Sequence, residues 1–115
     1  MRYPEILEHS IEKRQKSSVV KLKLLFDEKL IFFKGHFTDN PILPGIAQTD
    51  FVIEFSSCFL MLDKKQVRHI PQLKFSQVIL PNKVLNLQIE LSEHQLQFEY
   101  TDDDQNRYSS GKIQL

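Results

Sequence analysis

The sequence has no tryptophan, one cysteine, and no surplus of charge of either sign. Each absence excludes something. The lone cysteine, Cys58, cannot close a disulfide within the chain, and its place in an apolar run predicts a small core side chain. Lysine plus arginine and aspartate plus glutamate number 15 each, so the basic footprint of a nucleic-acid-binding protein is missing. The longest apolar stretch is about a dozen residues and is interrupted by Glu54, too short for a bilayer span. Met1-Arg2-Tyr3-Pro4-Glu5 lacks the apolar segment of a signal peptide, so a cytoplasmic protein without membrane contact is expected. His9, His69 and His94 are scattered, with no i, i+4 pair and no cysteine beside them, so no metal site is expected.

What is present describes a globular domain. Hydrophobic residues make up 41% and charged residues 26%, and nine phenylalanines predict a Phe-rich core. The 115 residues allow a single domain, 1–115, with limited surplus stability that dimerisation would supplement.

The periodicity divides the chain into strands around one helix. Val20, Leu22 and Leu24 alternate with Lys21 and Lys23, the period of a half-buried strand. With residues 6–13 before it, the segment 18–26 is expected to form a hairpin. Residues 72–80, 84–91, 95–101 and 107–115 follow as further strands, separated by the turns Pro81-Asn82, Ser92-Glu93-His94 and Asp102–Asn106. Short turns make neighbouring strands antiparallel. Between the two groups, residues 45–62 predict a helix whose apolar residues cover nearly every face, which marks it as buried. The fold class is therefore α+β: one long buried helix wrapped by a curved antiparallel sheet of five to six strands.

The residues able to carry chemistry lie where the chain enters that helix. Pro41 and Pro44 stiffen the loop after His36, and Gly45 permits a close backbone approach. The amides at Gly45 and Ile46, at the helix N-terminus, can donate to a carbonyl oxygen or an oxyanion. Asp50 sits one turn further on, and Glu54 lies above it on the same stripe. His36 as base, Asp50 as acid and the Gly45 and Ile46 amides together suit elimination or addition beside a thioester carbonyl. Taken singly, His36 reads equally as a surface histidine, Asp50 as an acid favoured by the helix dipole, and Gly45 as an ordinary helix-start glycine.

The run Gly35-His36-Phe37, Asn40-Pro41 and Leu43-Pro44-Gly45, with an acid five positions after the glycine, resembles the signature of hot-dog-fold 3-hydroxyacyl-acyl-carrier-protein dehydratases. The continuation Ile46-Ala47-Gln48-Thr49-Asp50-Phe51 is similar to the aryl-polyene-type branch. The resemblance implies that His36 abstracts the C2 proton and that Asp50 protonates the leaving 3-hydroxyl. The Gly45 amide would polarise the carbonyl, and the product would be a trans-2-enoyl thioester. It implies no cofactor beyond the phosphopantetheine of an acyl carrier protein. It also implies a homodimer or heterodimer in which base and acid come from different subunits. Phe51, Phe55 and Phe59 are candidates for lining an acyl tunnel. Lys64, Lys65 and Arg68 read first as a solvated helix end, and second as a patch for an acidic carrier protein. Two positions depart from the family pattern: Thr38-Asp39 stands where Pro-Gly is usual, and Glu54 where Gln is frequent. Those departures leave room for a non-catalytic partner subunit, and a hot-dog thioesterase is a second, lower-ranked enzyme alternative, since that class usually lacks the Gly-His-Phe loop with Pro-Gly.

Overall fold

The alternation of apolar residues with lysines does build a hairpin. A computed structural model describes residues 1–34 and 41–115, and in it β1 (Glu5–Lys13) pairs antiparallel with β2 (Ser17–Phe26). The chain then makes a 3₁₀ turn at Ile31–Phe33 and enters α1 (Gly45–Leu60). A second 3₁₀ turn at Lys64–Gln66 leads to β3 (His69–Phe75), β4 (Lys83–Ser92), β5 (Gln95–Thr101) and β6 (Arg107–Gln114). The six strands form one antiparallel sheet in the order β1-β2-β4-β5-β6-β3.

The period of two sorts each strand into a dry face and a wet one. Leu22 and Leu24 on β2, Leu85, Leu87 and Ile89 on β4, and Phe98 and Tyr100 on β5 are buried toward the helix. Lys21, Gln88 and Gln97 point the other way and are exposed. Burying one such leucine or phenylalanine is worth about 1.5–3 kcal/mol, so a one-residue slip of register would invert the whole core.

Register places six residues in one row across the sheet: His9, Leu22, Leu87, Tyr100, Ser109 and Phe75. The helix runs along this row. Gly45 meets the Phe75 ring, Gln48 bonds Tyr100 and Ser109, and the Phe59 ring lies 5.4 Å from that of His9. The dimensions agree. A helix of 16 residues is about 24 Å long, and six strands at ~4.8 Å spacing span about the same distance. The helix thus crosses the strands from the β3 edge to the β1 edge.

Three expectations need correction. The helix ends at Leu60 rather than 62, because Met61 takes a left-handed conformation (φ 60°) and its N–H bonds the Ser56 carbonyl. The helix is also not buried on every face: Ile46 is 80% exposed, and Cys58 is exposed rather than core. A sheet covers one side of a helix, and the even spread of apolar residues around α1 could not say which. Finally, the strand expected at 72–80 is β3, and it ends at Phe75. Ile79 is buried, but it lies beyond the end of β3, while Leu73 and Phe75 are partly exposed along the sheet edge.

Candidate functional site

The start of α1 has no side-chain cap. Pro44, the residue before the helix, is extended (φ −62°, ψ 148°) and has no side-chain donor or acceptor to offer. Its carbonyl accepts from the N–H groups of Ala47 and Gln48 at 3.1 and 3.3 Å. The amides of Gly45 and Ile46 come before these two, where helix geometry supplies no acceptor. The loop leading in is held from below, since the Leu43 N–H donates to the Ile79 carbonyl at 2.9 Å. Space is tight at Gly45: a Cβ there would stand 2.8 Å from Cζ of Phe75.

Asp50 lies on the second turn, but it is not the buried acid that an all-apolar helix predicted. Its side chain is 47% exposed and stands 3.9 Å from the guanidinium of Arg2. Arg2 is itself held over the rings of Tyr3 and Phe32, 5.6 and 5.9 Å from their centroids. The N-terminal residues reach this position because the Ile31 N–H bonds the Met1 carbonyl, and because Tyr3 packs edge-on against Phe51 at 6.0 Å. The Tyr3 hydroxyl chiefly, with the charges of Asp50 and Glu54 behind it, holds the Arg2 guanidinium above its ordinary value. Glu54 is paired with Lys64, and that hydrogen bond is the main cause raising the ammonium. The two acids of the stripe therefore each have a cation of their own.

Below them the helix meets a buried polar cluster. The Tyr100 hydroxyl donates to the Gln48 carbonyl at 2.8 Å, and the Ser109 hydroxyl to Gln48 Oε1 at 2.6 Å. Burial pushes the Tyr100 phenol well above its ordinary value, and the charge of Asp50 pushes the same way. Phe51, Phe55 and Phe59 form a ladder along the helix, with successive centroids 6.5 and 6.4 Å apart. Phe51 and Phe55 are buried, and Phe59 is half-buried.

The structure thus brings Gly45, Ile46 and Asp50 together at one end of α1. His36 lies outside the described residues. Arg2 and the pair Tyr100–Ser109 were not legible in the sequence. Arg2 is far from the motif, and Tyr100 and Ser109 read only as members of alternating strands. Gln48 did carry a signal, as a polar residue in an apolar helix. Among the described residues no cluster of histidine, cysteine or carboxylate side chains has metal-binding geometry, and no helix is long and apolar enough to cross a membrane.

Comparison with known proteins adds a family. A family model described as ApeI-like, ApeI dehydratase, matches residues 11–112. The chain is 29% identical over 98 residues to the 3-hydroxyacyl-(acyl-carrier-protein) dehydratase FabZ of Clostridium perfringens, covering 78% of this chain and 68% of that protein. Among solved structures it is similar to an uncharacterised protein of Erwinia carotovora subsp. atroseptica, with a TM-score of 0.85, 36% identity, and 96% and 93% of the two chains covered. It is also similar to the dehydratase heterocomplex ApeI:P of Xenorhabdus doucetiae, with a TM-score of 0.80, 30% identity, and 96% of each chain covered.

Proposed function

The chain belongs to the ApeI-like dehydratase family, and from that premise we propose that it removes water from a 3-hydroxyacyl thioester carried on the phosphopantetheine of an acyl carrier protein. The observation that carries the reading is Asp50 on the second turn of a helix whose first amides lack intrahelical acceptors. A thioester carbonyl docked at Gly45 and Ile46 acquires oxyanion character as the C2 proton leaves, and amide donors at a helix N-terminus stabilise that charge. His36 takes the C2 proton. Asp50 gives a proton to the 3-hydroxyl, which departs as water while the C2–C3 double bond forms. Arg2, 3.9 Å from Asp50, then meets the carboxylate left behind. No cofactor enters this scheme.

The site needs a second subunit of the same fold, identical or related. Beside the helix N-terminus, Ile46, Leu73, Phe75, Val78 and Leu80 are exposed apolar residues, and β3 has an unpaired edge among the described residues. Such a patch marks an interaction surface. The Xenorhabdus relative is a heterocomplex, which supports pairing with a related, non-identical subunit. Lys64, Lys65 and Arg68 are exposed and suit an acidic carrier protein.

Purified protein should convert a carrier-bound 3-hydroxyacyl thioester to the enoyl form, followed by enoyl absorbance. His36→Ala and Asp50→Asn should each lower kcat by about 10²–10⁴-fold. Since Asp50 is half-exposed, its variant should melt close to wild type. Full activity in His36→Ala would remove the base from the scheme. Free thiol without enoyl product would identify a thioesterase. Inert protein that still binds the carrier would identify a non-catalytic subunit.

A further inference from the structure

We infer that Tyr100 and Ser109 are positioning residues, which by holding Gln48 set the helix turn that carries Gly45, Ile46 and Asp50. This rests on the dehydratase reading of that helix, and it accounts for the polar residues Gln48 and Thr49 in an apolar element.

The leading end of α1 is not capped. Pro44 provides no side-chain cap, and Gly45 leads the helix. Its anchorage comes from the sheet. Tyr100 is fully buried and donates to the Gln48 carbonyl at 2.8 Å, while Ser109, equally buried, donates to Gln48 Oε1 at 2.6 Å. Tyr100 and Ser109 are direct cross-strand partners on β5 and β6, so one residue of the helix is bonded to two adjacent strands. Thr49, also buried, adds a bond from its hydroxyl to the Ile46 carbonyl at 3.0 Å. Gln48 lies between the Gly45 and Ile46 amides on one side and Asp50 on the other.

Stability alone does not call for this arrangement. Replacing both partners of a buried hydrogen bond with apolar groups of the same shape is often nearly neutral. A hydrogen bond adds something that apolar packing does not: a fixed distance and direction. Apolar side chains let a helix slide by fractions of an ångström over a sheet at little cost. Two short bonds to Gln48 hold α1 along its axis and in rotation. Displacing reacting groups by about 1 Å can cost ~100-fold in rate, so this is the place in the fold where such control acts on the chemistry.

The discriminating variants are Tyr100→Phe, which removes one oxygen and keeps the ring, and the double variant Gln48→Met with Ser109→Ala, which removes both partners. Ser56→Ala is the control, because Ser56 is buried in the same helix and its hydroxyl donates to the Val52 carbonyl of that helix rather than to the sheet. Two measurements are made on the full chain. In amide exchange, both positioning variants should exchange residues 45–52 at least about 10-fold faster relative to β4. In turnover of a carrier-bound 3-hydroxyacyl thioester, both should lose about 10-fold or more in kcat with KM within about twofold, as expected for an interaction that acts in the transition state. Ser56→Ala should lower the melting temperature and leave kcat unchanged. The inference is overturned if the positioning variants keep wild-type kcat, or if exchange at 45–52 rises no more than in β4. If wild-type protein forms no enoyl product, the dehydratase reading fails, and the exchange measurement still decides whether the cluster holds the turn.

Discussion

Gly45 has no room for a side chain. Its backbone approaches the Phe75 ring so closely that a methyl group would meet Cζ at 2.8 Å. The ring is half-exposed and able to move, so the cost of Gly45→Ala should fall within the usual overpacking range, about 1–3 kcal/mol by urea denaturation. Adding Phe75→Leu should restore most of the loss, because the obstacle is the far end of that ring. A Gly45→Ala protein of wild-type stability would show that the contact is not maintained. Asp50 and Glu54 make a different lesson at this scale. Two like charges one turn apart on a helix look like a conflict in the sequence. The structure resolves it by giving Asp50 a cation from the N-terminus, Arg2, and Glu54 one from the segment after the helix, Lys64.

At the scale of the element, the turns were the most legible parts. The cluster Asp102–Asn106 predicts a turn between two alternating segments, and it is one. The Asp102 carboxylate accepts from the N–H groups of Asp104 and Asn106 at 2.9 Å each, and from the Asn106 side chain at 3.0 Å. The Asn106 side-chain amide is the largest cause holding this carboxyl below its ordinary value of 3.8. A depressed folded value means that the contribution to stability is present above the ordinary value and is lost as pH falls through the depressed one. Urea midpoints measured at about pH 6 and about pH 3 should therefore show a smaller difference in Asp102→Asn than in wild type. An unchanged difference would mean that the turn makes no contribution to acid sensitivity. The helix was less legible than the turns. Its existence and its start at Gly45 follow from composition and the proline loop. Its end at Leu60 was hidden, because Met61 takes a left-handed conformation that the sequence would assign to glycine.

For the whole molecule, the open surface lies at one corner, where the helix N-terminus meets the β3 edge. Val78 is 55% exposed there and Leu80 49%. A partner subunit that covers this corner would exclude water from Asp50. In solution the protein should have at least twice the 13.6 kDa mass of the chain. Val78→Asp should shift it toward the monomer and abolish turnover together with assembly, because a buried unpaired charge is costly. Light scattering coupled to size exclusion reads the mass. A monomeric wild type that turns over substrate would overturn the shared-site scheme.

The sequence alone determined the pattern of strands, the presence of one central helix and the position of Asp50 five residues beyond Gly45. These depend on local periodicity, on proline and glycine stereochemistry, and on spacing within one stretch of chain. Tertiary structure decided what lies against that stretch. Strand order brought Tyr100 and Ser109 side by side under Gln48, folded Arg2 back to Asp50, and laid Phe75 on Gly45. It also left one flank of α1, including Ile46 and Cys58, without a sheet to cover it. Such contacts join residues far apart in sequence, and their partners are chosen by register and by the direction in which the helix crosses the strands, neither of which is written in any local window of the chain.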